Sequence, residues 1–428
     1  MRFHLQTFGC KSNQYESQAI REALQKNGHE ESASPEQAQL LVVNTCGVTG
    51  RAGASCRNAI RKALRKNPAL TPVITGCAVD IDEPWTKTMA EGGVLVPNAK
   101  KHALPGIIGA LTENRPFPES EGDRFALAIS SFQGHTRAFL KIQDGCDNCC
   151  SYCAIPRARG KPESGPVAAI LDEAARLAEN GYRELALTGI NIGAYRGNGC
   201  GLAELAARIA ATPGLARLRL GSVEPPYVDD ALLETMTGNR VICPHVHIPL
   251  QSGDDGILRA MGRRYRAKEF LRIIEKIRNA LPLPSITTDV IVGFPGEDES
   301  AFLKTYSLCR EVGFSRLHVF PFSPRPGTPA AGMRRGAPDR EIERRKRRLL
   351  ELGGRMAEEY AAANVGLNER IIVETGARES RGLTDRYLRA SIADSAMPKN
   401  EVCEVKIIGS NGGRLTAVGR AERPRPFA

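Results

Sequence analysis

Six of the twelve cysteines stand where they can do metal chemistry. Cys146, Cys150 and Cys153 lie in Asp144-Gly145-Cys146-Asp147-Asn148-Cys149-Cys150-Ser151-Tyr152-Cys153, a C-x3-C-x2-C spacing on what reads as one loop. Three thiolates this close can hold three irons of a [4Fe–4S] cube and leave the fourth iron open to a small chelating ligand. Zinc fits less well, because it takes four ligands and no obvious fourth stands at a zinc spacing nearby. A set of free buried thiols is the remaining alternative. Cys10, Cys46 and Cys77 are far apart in sequence, yet each closes a short apolar run, 3–10, 41–46 and 73–77. Ends of neighbouring parallel strands meet on one sheet edge, which would bring these thiols together. Buried cysteine at a strand end is also ordinary packing.

The elements that must position these loops follow from periodicity. Residues 1–100 alternate strand-like and helix-like runs. Ser12-Asn13-Gln14-Tyr15-Glu16-Ser17 opens a helix reaching about Asn27, and Gly47-Val48-Thr49 leads into a basic helix over 51–66. This is the βα pattern of a small doubly wound sheet, without a G-x-G-x-x-G after its first strand. A stretch over 111–133 with Pro116, Pro118 and Gly122 reads as a linker. Strand signals recur at 138–142, 184–188, 218–222, 246–249, 286–292 and 317–321, with helices such as 166–180, 267–280 and 299–312 between them. Six βα units predict an α/β chain whose centre is a partial (β/α)6 barrel, with its chemistry at the C-terminal ends of the strands. The cysteine loop follows the first of those strands. From about 366, alternating runs at 370–374 and 401–408 predict a small antiparallel β-barrel, a shape often used to hold RNA.

Composition narrows the partners. At 428 residues the chain suits two or three domains. No run of 18 apolar residues predicts a membrane span, and Met1-Arg2-Phe3-His4 runs into a strand without a signal-peptide pattern. Twelve cysteines in such a chain argue for a reducing, cytoplasmic setting. A net charge of +11 suits a polyanion. Residues 334–355 carry nine Lys or Arg against four acids. Arg344, Arg345, Arg347 and Arg348 are candidate phosphate contacts there, and a solvated helix face is the plainer alternative. His245 and His247, on one face of a strand, read as satisfied core histidines.

The residues resemble the radical S-adenosylmethionine methylthiotransferases. The resemblance rests on Thr7-Phe8-Gly9-Cys10-Lys11-Ser12-Asn13-Gln14-Tyr15-Glu16-Ser17, Val43-Asn44-Thr45-Cys46, Thr75-Gly76-Cys77 and Lys141-Ile142-Gln143-Asp144-Gly145-Cys146. It continues through Leu187–Gly193, His247-Ile248-Pro249-Leu250-Gln251-Ser252-Gly253, Thr288–Glu297 and Pro324–Pro329. Within the family, 9–16 and Leu317-His318-Val319-Phe320-Pro321-Phe322-Ser323 are most similar to the branch acting on N6-threonylcarbamoyladenosine at position 37 of tRNA. Other branches act on isopentenyladenosine of tRNA or on a ribosomal-protein aspartate.

The resemblance implies an N-terminal domain over 1–110, a radical barrel over 134–335, a basic linker helix over 336–365 and a TRAM-like RNA-binding domain over 366–428. It implies two [4Fe–4S] clusters. Cys146, Cys150 and Cys153 would hold the radical cluster, and Cys10, Cys46 and Cys77 an auxiliary one that delivers sulfur. One S-adenosylmethionine would give a 5′-deoxyadenosyl radical and another the methyl group. Thr188, Gly189, Asn191, Glu224, Gln251 and Gly293 are the expected cofactor-binding residues; tight turns and loop caps are the plainer readings of the same positions. The partners implied are tRNA and an electron donor of the flavodoxin or ferredoxin kind, with no DNA and no membrane. Two departures stand out: Cys149 replaces the family's usual aromatic residue, and Pro162-Glu163-Ser164-Gly165 replaces its Arg-Ser-Arg segment. The rival from another class is an iron–sulfur RNA-binding protein without radical chemistry. A chain cut from about 366 is expected to bind tRNA less well and still cleave the cofactor, because no cysteine of either trio lies there.

Overall fold

The computed structural model describes residues 1–81, 84–113, 115–118, 123–376, 380–393 and 397–419. Gly122 of the expected linker and residues 420–428 of the expected C-terminal domain lie outside the described residues. The chain forms two compact units: one of residues 1–133, 141–173 and 323–332, the other of 134–140, 174–322 and 333–428.

The first unit begins with β1 (Arg2–Thr7), α1 (Lys11–Lys26), β2 (Glu30–Glu31), β3 (Leu40–Thr45), α2 (Gly50–Lys66), β4 (Thr71–Gly76), α3 (Cys77–Asp80), α4 (Pro84–Met89), β5 (Val94–Val96) and α5 (Leu104–Thr112). The strands are parallel in the order β2-β1-β3-β4-β5. β3 is buried throughout because helices cover both sheet faces. Leu40 and Val42 pack with Ile20, Leu24, Leu104 and Ile108 on one side, while Leu41 and Val43 pack with Ile60, Ala63 and Ile74 on the other. The order reverses between β1 and β3, which is the place where doubly wound sheets open a crevice at their C-terminal edge.

The chain continues with β6 (Arg137–Lys141), β7 (Gln143–Asp144), α6 (Ile155–Arg159), β8 (Glu163–Ser164), α7 (Val167–Glu179), β9 (Glu184–Thr188), β10 (Arg196–Gly197), β11 (Cys200–Gly201), α8 (Leu202–Ala210), β12 (Arg217–Arg219), α9 (Asp230–Gly238), β13 (His245–His247), α10 (Asp255–Ala260), α11 (Ala267–Ala280), β14 (Ser285–Val292), α12 (Glu299–Val312) and β15 (Arg316–Pro321). Sheets β12-β9-β6 and β13-β14-β15 are joined by bridges from Leu218 to Ile242 and Ser222 to His247. The six expected strands are therefore present as one parallel partial barrel, with ends shifted by one to three residues, the most at Arg217–Arg219.

Helix α13 (Asp339–Ala362) precedes a closed barrel of β16 (Asn368–Thr375), β17 (Ser380–Thr384), β18 (Arg389–Ala393), β19 (Val402–Asn411) and β20 (Arg414–Gly419). It is antiparallel except for the parallel pair β18–β20. This small barrel is not a free appendage. Buried Arg217 and Arg219 donate to the carbonyls of Leu383, Thr384 and Asp385 at 2.7–3.2 Å. Both also pair with Glu184, at 3.0 and 2.9 Å, and Arg217 pairs with Asp385 at 3.1 Å. Tyr387, held at φ +64°, stacks on His245 with centroids 4.6 Å apart. The loop 384–387 thus closes the N-terminal end of the strands bearing Glu184, Arg217 and His245. A cut at 366 would remove the Leu383, Thr384 and Asp385 acceptors of Arg217 and Arg219, which weighs against the expectation that the shortened chain still cleaves the cofactor.

Candidate functional site: two three-cysteine sets

All six candidate ligand cysteines belong to the first unit. Cys10 lies three residues beyond β1, Cys46 directly after β3, and Cys77 opens α3 directly after β4. The register, Thr7 opposite Asn44 and Thr45 opposite Gly76, brings these three ends to one edge. Gly9 sits at φ +103°, and a Cβ there would lie 3.0 Å from the Cys46 sulfur, so glycine is required before Cys10. Cys10 is exposed, while Cys46 and Cys77 are buried. Burial pushes the Cys46 thiol up to about 12, against a backbone N–H of Val48. Burial also raises the Cys77 thiol, against the attraction of Arg159 and Lys101. Thiols so raised ionise when a metal takes the proton's place.

The second set is one loop between β7 and α6. Gly145, at φ +69°, turns the chain so tightly that a Cβ would lie 2.0 Å from the Lys161 carbonyl. Cys146 N–H donates to the Gly160 carbonyl (3.1 Å) and Cys153 N–H to the Cys150 carbonyl (3.0 Å). Asn148 N–H donates to the Cys146 sulfur at 3.4 Å, the kind of bond that tunes a cluster ligand. Cys146, Cys150 and Cys153 are half-buried, and Cys149 is exposed beside the Asp147 carbonyl (3.8 Å), outside the trio.

A buried ion-pair network ties the two sets together. Glu16, two turns after Cys10, accepts from Lys101 (2.6 Å), Lys141 (3.0 Å) and Arg159 (2.7 Å). Asp144, two residues before Cys146, accepts from Lys141 (2.7 Å) and Arg159 (3.0 Å). Arg159 also donates to Asn13 Oδ1 at 2.6 Å, and Asn13 donates to the Phe8 and Thr45 carbonyls. Burial opposes ionisation of Asp144, but Arg159 and Lys141 outweigh it and hold its carboxyl at about 2. The sequence reading missed Glu16, Lys101, Lys141, Asp144 and Arg159 as a set, because charge burial has no sequence signature.

In the second unit the expected cofactor-binding residues occupy strand ends. Thr188 ends β9 and is buried, as is Asn191 three residues on, with Gly189 between them. Gln251 is held at φ +63°, a strained value for a side-chain-bearing residue, by bonds to the Asp289 carbonyl and Ile291 N–H. Glu224 is not a free acceptor: it is ion-paired with Arg263. Beside Gly293 the space is taken by Ile342, 2.5 Å from a would-be Cβ, so the close approach that this glycine allows is that of α13.

The expected arginine stripe is corrected too. Arg345 is buried, bonding Glu297 at 2.8 Å and Glu341 at 3.1 Å. Arg344 pairs with Glu299 and Glu341, and Arg348 with Glu299. Only Arg347 of the four is largely exposed, its side chain at 70%. Half of a helix surface faces its own protein, and four arginines within five residues cannot all avoid it. His247 and His318 hold the two carboxylate oxygens of Asp289 at 3.2 and 3.1 Å. Despite burial, these bonds keep the Asp289 carboxyl well below the usual range. His247 is therefore satisfied, as expected, by partners the sequence did not indicate.

A partial parallel barrel with a C-x3-C-x2-C loop after its first strand defines a radical S-adenosylmethionine enzyme. Residues 140–309 match the radical SAM superfamily, and 2–94 match an uncharacterized protein family, UPF0004. The chain is 38% identical over 373 residues to the threonylcarbamoyladenosine tRNA methylthiotransferase MtaB of Chlamydia pneumoniae, covering 87% of this chain and 86% of the relative. It is 35% identical over 415 residues to that of Thermotoga maritima, covering 95% of each. Among solved structures, the radical SAM methyltransferase TsrM of Kitasatospora setae shares the fold at TM-score 0.59 and 15% identity, covering 77% of this chain and 75% of that one. The chain belongs to the radical SAM methylthiotransferases, in their MtaB branch. Its cofactors are [4Fe–4S] clusters and S-adenosylmethionine. Among the described residues, no helix is long and apolar enough to cross a membrane.

Proposed function

We propose that this protein adds a methylthio group to C2 of N6-threonylcarbamoyladenosine at position 37 of tRNA, in the cytoplasm. The observation that carries the reading is that one compact unit holds two separate three-thiol sets, joined through Arg159. Two such sets fit a division between sulfur delivery and cofactor cleavage. The donor sets suit the clusters: three soft thiols each, and beside Cys77 a buried Arg159 whose charge favours the thiolate and whose Nε–H has no partner within hydrogen-bond geometry among the described residues. When bound, the clusters supply an electron for cleaving S-adenosylmethionine and the sulfur to be transferred.

The chain's own residues do the rest. Cys146, Cys150 and Cys153 leave one iron open by their number. Asn148 steadies the Cys146 sulfur. Thr188, Asn191 and Gln251 offer hydroxyl and amide groups of the kinds that an amino acid and a ribose require. Use of two S-adenosylmethionine molecules, and a flavodoxin- or ferredoxin-like donor, belong to the same proposal. Exposed arginines of α13 such as Arg340, Arg347 and Arg355, with the small barrel, are proposed to meet tRNA phosphates. The choice of threonylcarbamoyladenosine over isopentenyladenosine or a ribosomal-protein aspartate is supported by residues 9–16 and 317–323 and by relatives at 34–38% identity.

The test is a competition among purified substrates. Reduced, reconstituted protein with S-adenosylmethionine is given tRNA carrying threonylcarbamoyladenosine, tRNA carrying isopentenyladenosine, or the ribosomal protein. Methylthiolation of the first alone is expected. Turnover of either other substrate in its place overturns the assignment.

A further inference from the structure

We infer that Arg159 and Arg325 are potential-setting residues of the auxiliary cluster: two buried cations that stabilise its reduced form. The inference rests on Cys10, Cys46 and Cys77 holding that cluster, as proposed above.

Arg159 is 2% exposed. Its Nη atoms are taken by Glu16, Asp144 and Asn13, and among the described residues its Nε–H has no partner within hydrogen-bond geometry. The preceding residue, Ala158, packs with Cys77, Ile81 and Ala154 in one buried cluster. The guanidinium stands beside the Cys77 thiol and favours its thiolate, and a buried N–H without an acceptor in hydrogen-bond geometry carries a cost. A thiolate or sulfide is the acceptor that removes this cost. Charge points the same way. The ion pairs around Arg159 set three cations, Lys101, Lys141 and Arg159, against two carboxylates, Glu16 and Asp144. Asp80, half-buried and bonded to the backbone and side chain of Asn98, is a third carboxylate within charge range of Lys101 and Arg159, but it makes no direct ion pair with them and burial opposes its ionisation. A three-thiolate cluster brings negative charge to the place where these direct pairs leave one cation in excess.

Arg325 supplies the second cation, from the segment after β15. It is 5% exposed, and its Nη1 would lie 3.8 Å from a Cβ on Gly50, four residues beyond Cys46, where its charge acts on the Cys46 thiol. Its segment is fixed to the start of α2 by a 3.0 Å bond from Gly50 N–H to the Ser323 hydroxyl. Reduction adds one negative charge to a cluster. A fixed cation or N–H donor at its sulfurs favours that added charge and raises the potential.

The experiment is redox titration of the full-length, reconstituted enzyme by electron paramagnetic resonance, following the cluster signal that S-adenosylmethionine leaves unchanged. Arg159→Gln would strand two buried carboxylates, so the variant used is Arg159→Lys, which keeps the charge and lacks the Nε–H. Arg325→Gln is the second variant. Each is expected to lower the ratio of reduced to oxidised auxiliary cluster about tenfold at a fixed poise, a shift of about 59 mV to more negative potential for a one-electron couple. About eight irons per chain with an unmoved midpoint in both variants would overturn this inference alone. About four irons in the wild type would overturn the two-cluster reading, and the inference with it.

Discussion

Glu184→Gln removes the carboxylate that is ion-paired with both buried arginines, Arg217 and Arg219. Glu184 and Arg217 are 0% exposed and Arg219 is 1% exposed, so solvent does not screen the pairs at 3.0 and 2.9 Å. Losing one partner of a buried pair costs about 3–5 kcal/mol. Protonation gives an independent figure. Burial opposes ionisation of Glu184, but Arg217, Arg219 and Arg137 hold its carboxyl at about 2 against an ordinary 4.5. That difference corresponds to about 3–4 kcal/mol at ~1.4 kcal/mol per unit. The two routes agree. Because the folded value is depressed, the stabilisation is present above about pH 4.5 and is lost as pH falls toward 2. Urea unfolding of wild type and Glu184→Gln should therefore differ by about 3–4 kcal/mol at pH 7, and by progressively less as pH falls below 4.5. Equal midpoints at pH 7, or a gap that stays constant down to pH 2.5, would refute the placement of this charge cluster.

The same cluster dictates that a chain ending at 365 unfolds or aggregates and loses cofactor cleavage; a soluble, fully cleaving truncation would show the loop 384–387 to be dispensable. Changing Cys10, Cys46 and Cys77 together to Ala should leave 5′-deoxyadenosine formation and abolish methylthio transfer. Loss of both in a protein whose circular dichroism matches wild type would contradict the division of labour. Affinity for tRNA should fall with salt at a log–log slope of about −0.7 to −0.9 per phosphate contact. Arg347→Ala should flatten that slope, whereas Arg345→Ala should lower the melting temperature through its buried Glu297 partner; an unchanged slope for Arg347→Ala would move the RNA contacts elsewhere.

Strand periodicity made the small C-terminal barrel legible, because an alternating run such as 404–407 puts Val405 and Ile407 on the buried face and Glu404 and Lys406 on the exposed one. The cysteine sets were legible for a different reason. A C-x3-C-x2-C loop is short enough that spacing alone implies proximity, and strand-end thiols converge wherever strands are parallel. The long-range charge clusters were not legible. Arg217 and Arg219 look like an exposed strand face until Glu184 and Asp385 arrive from 33 and 168 residues away from Arg217. Glu16, Asp144 and Arg159 likewise look like ordinary surface charges in sequence. The arginines of α13 failed in the opposite sense: a dense basic run hid one residue, Arg345, that faces Glu297 and is buried.

The most direct measurement is mass spectrometry of tRNA nucleosides from cells with and without this gene. The account predicts 2-methylthio-N6-threonylcarbamoyladenosine in the first and its unthiolated parent in the second. Wild-type protein should restore the product, and neither cysteine-trio variant should. An unchanged nucleoside profile on deletion, or restoration by a protein lacking Cys10, Cys46 and Cys77, would contradict it.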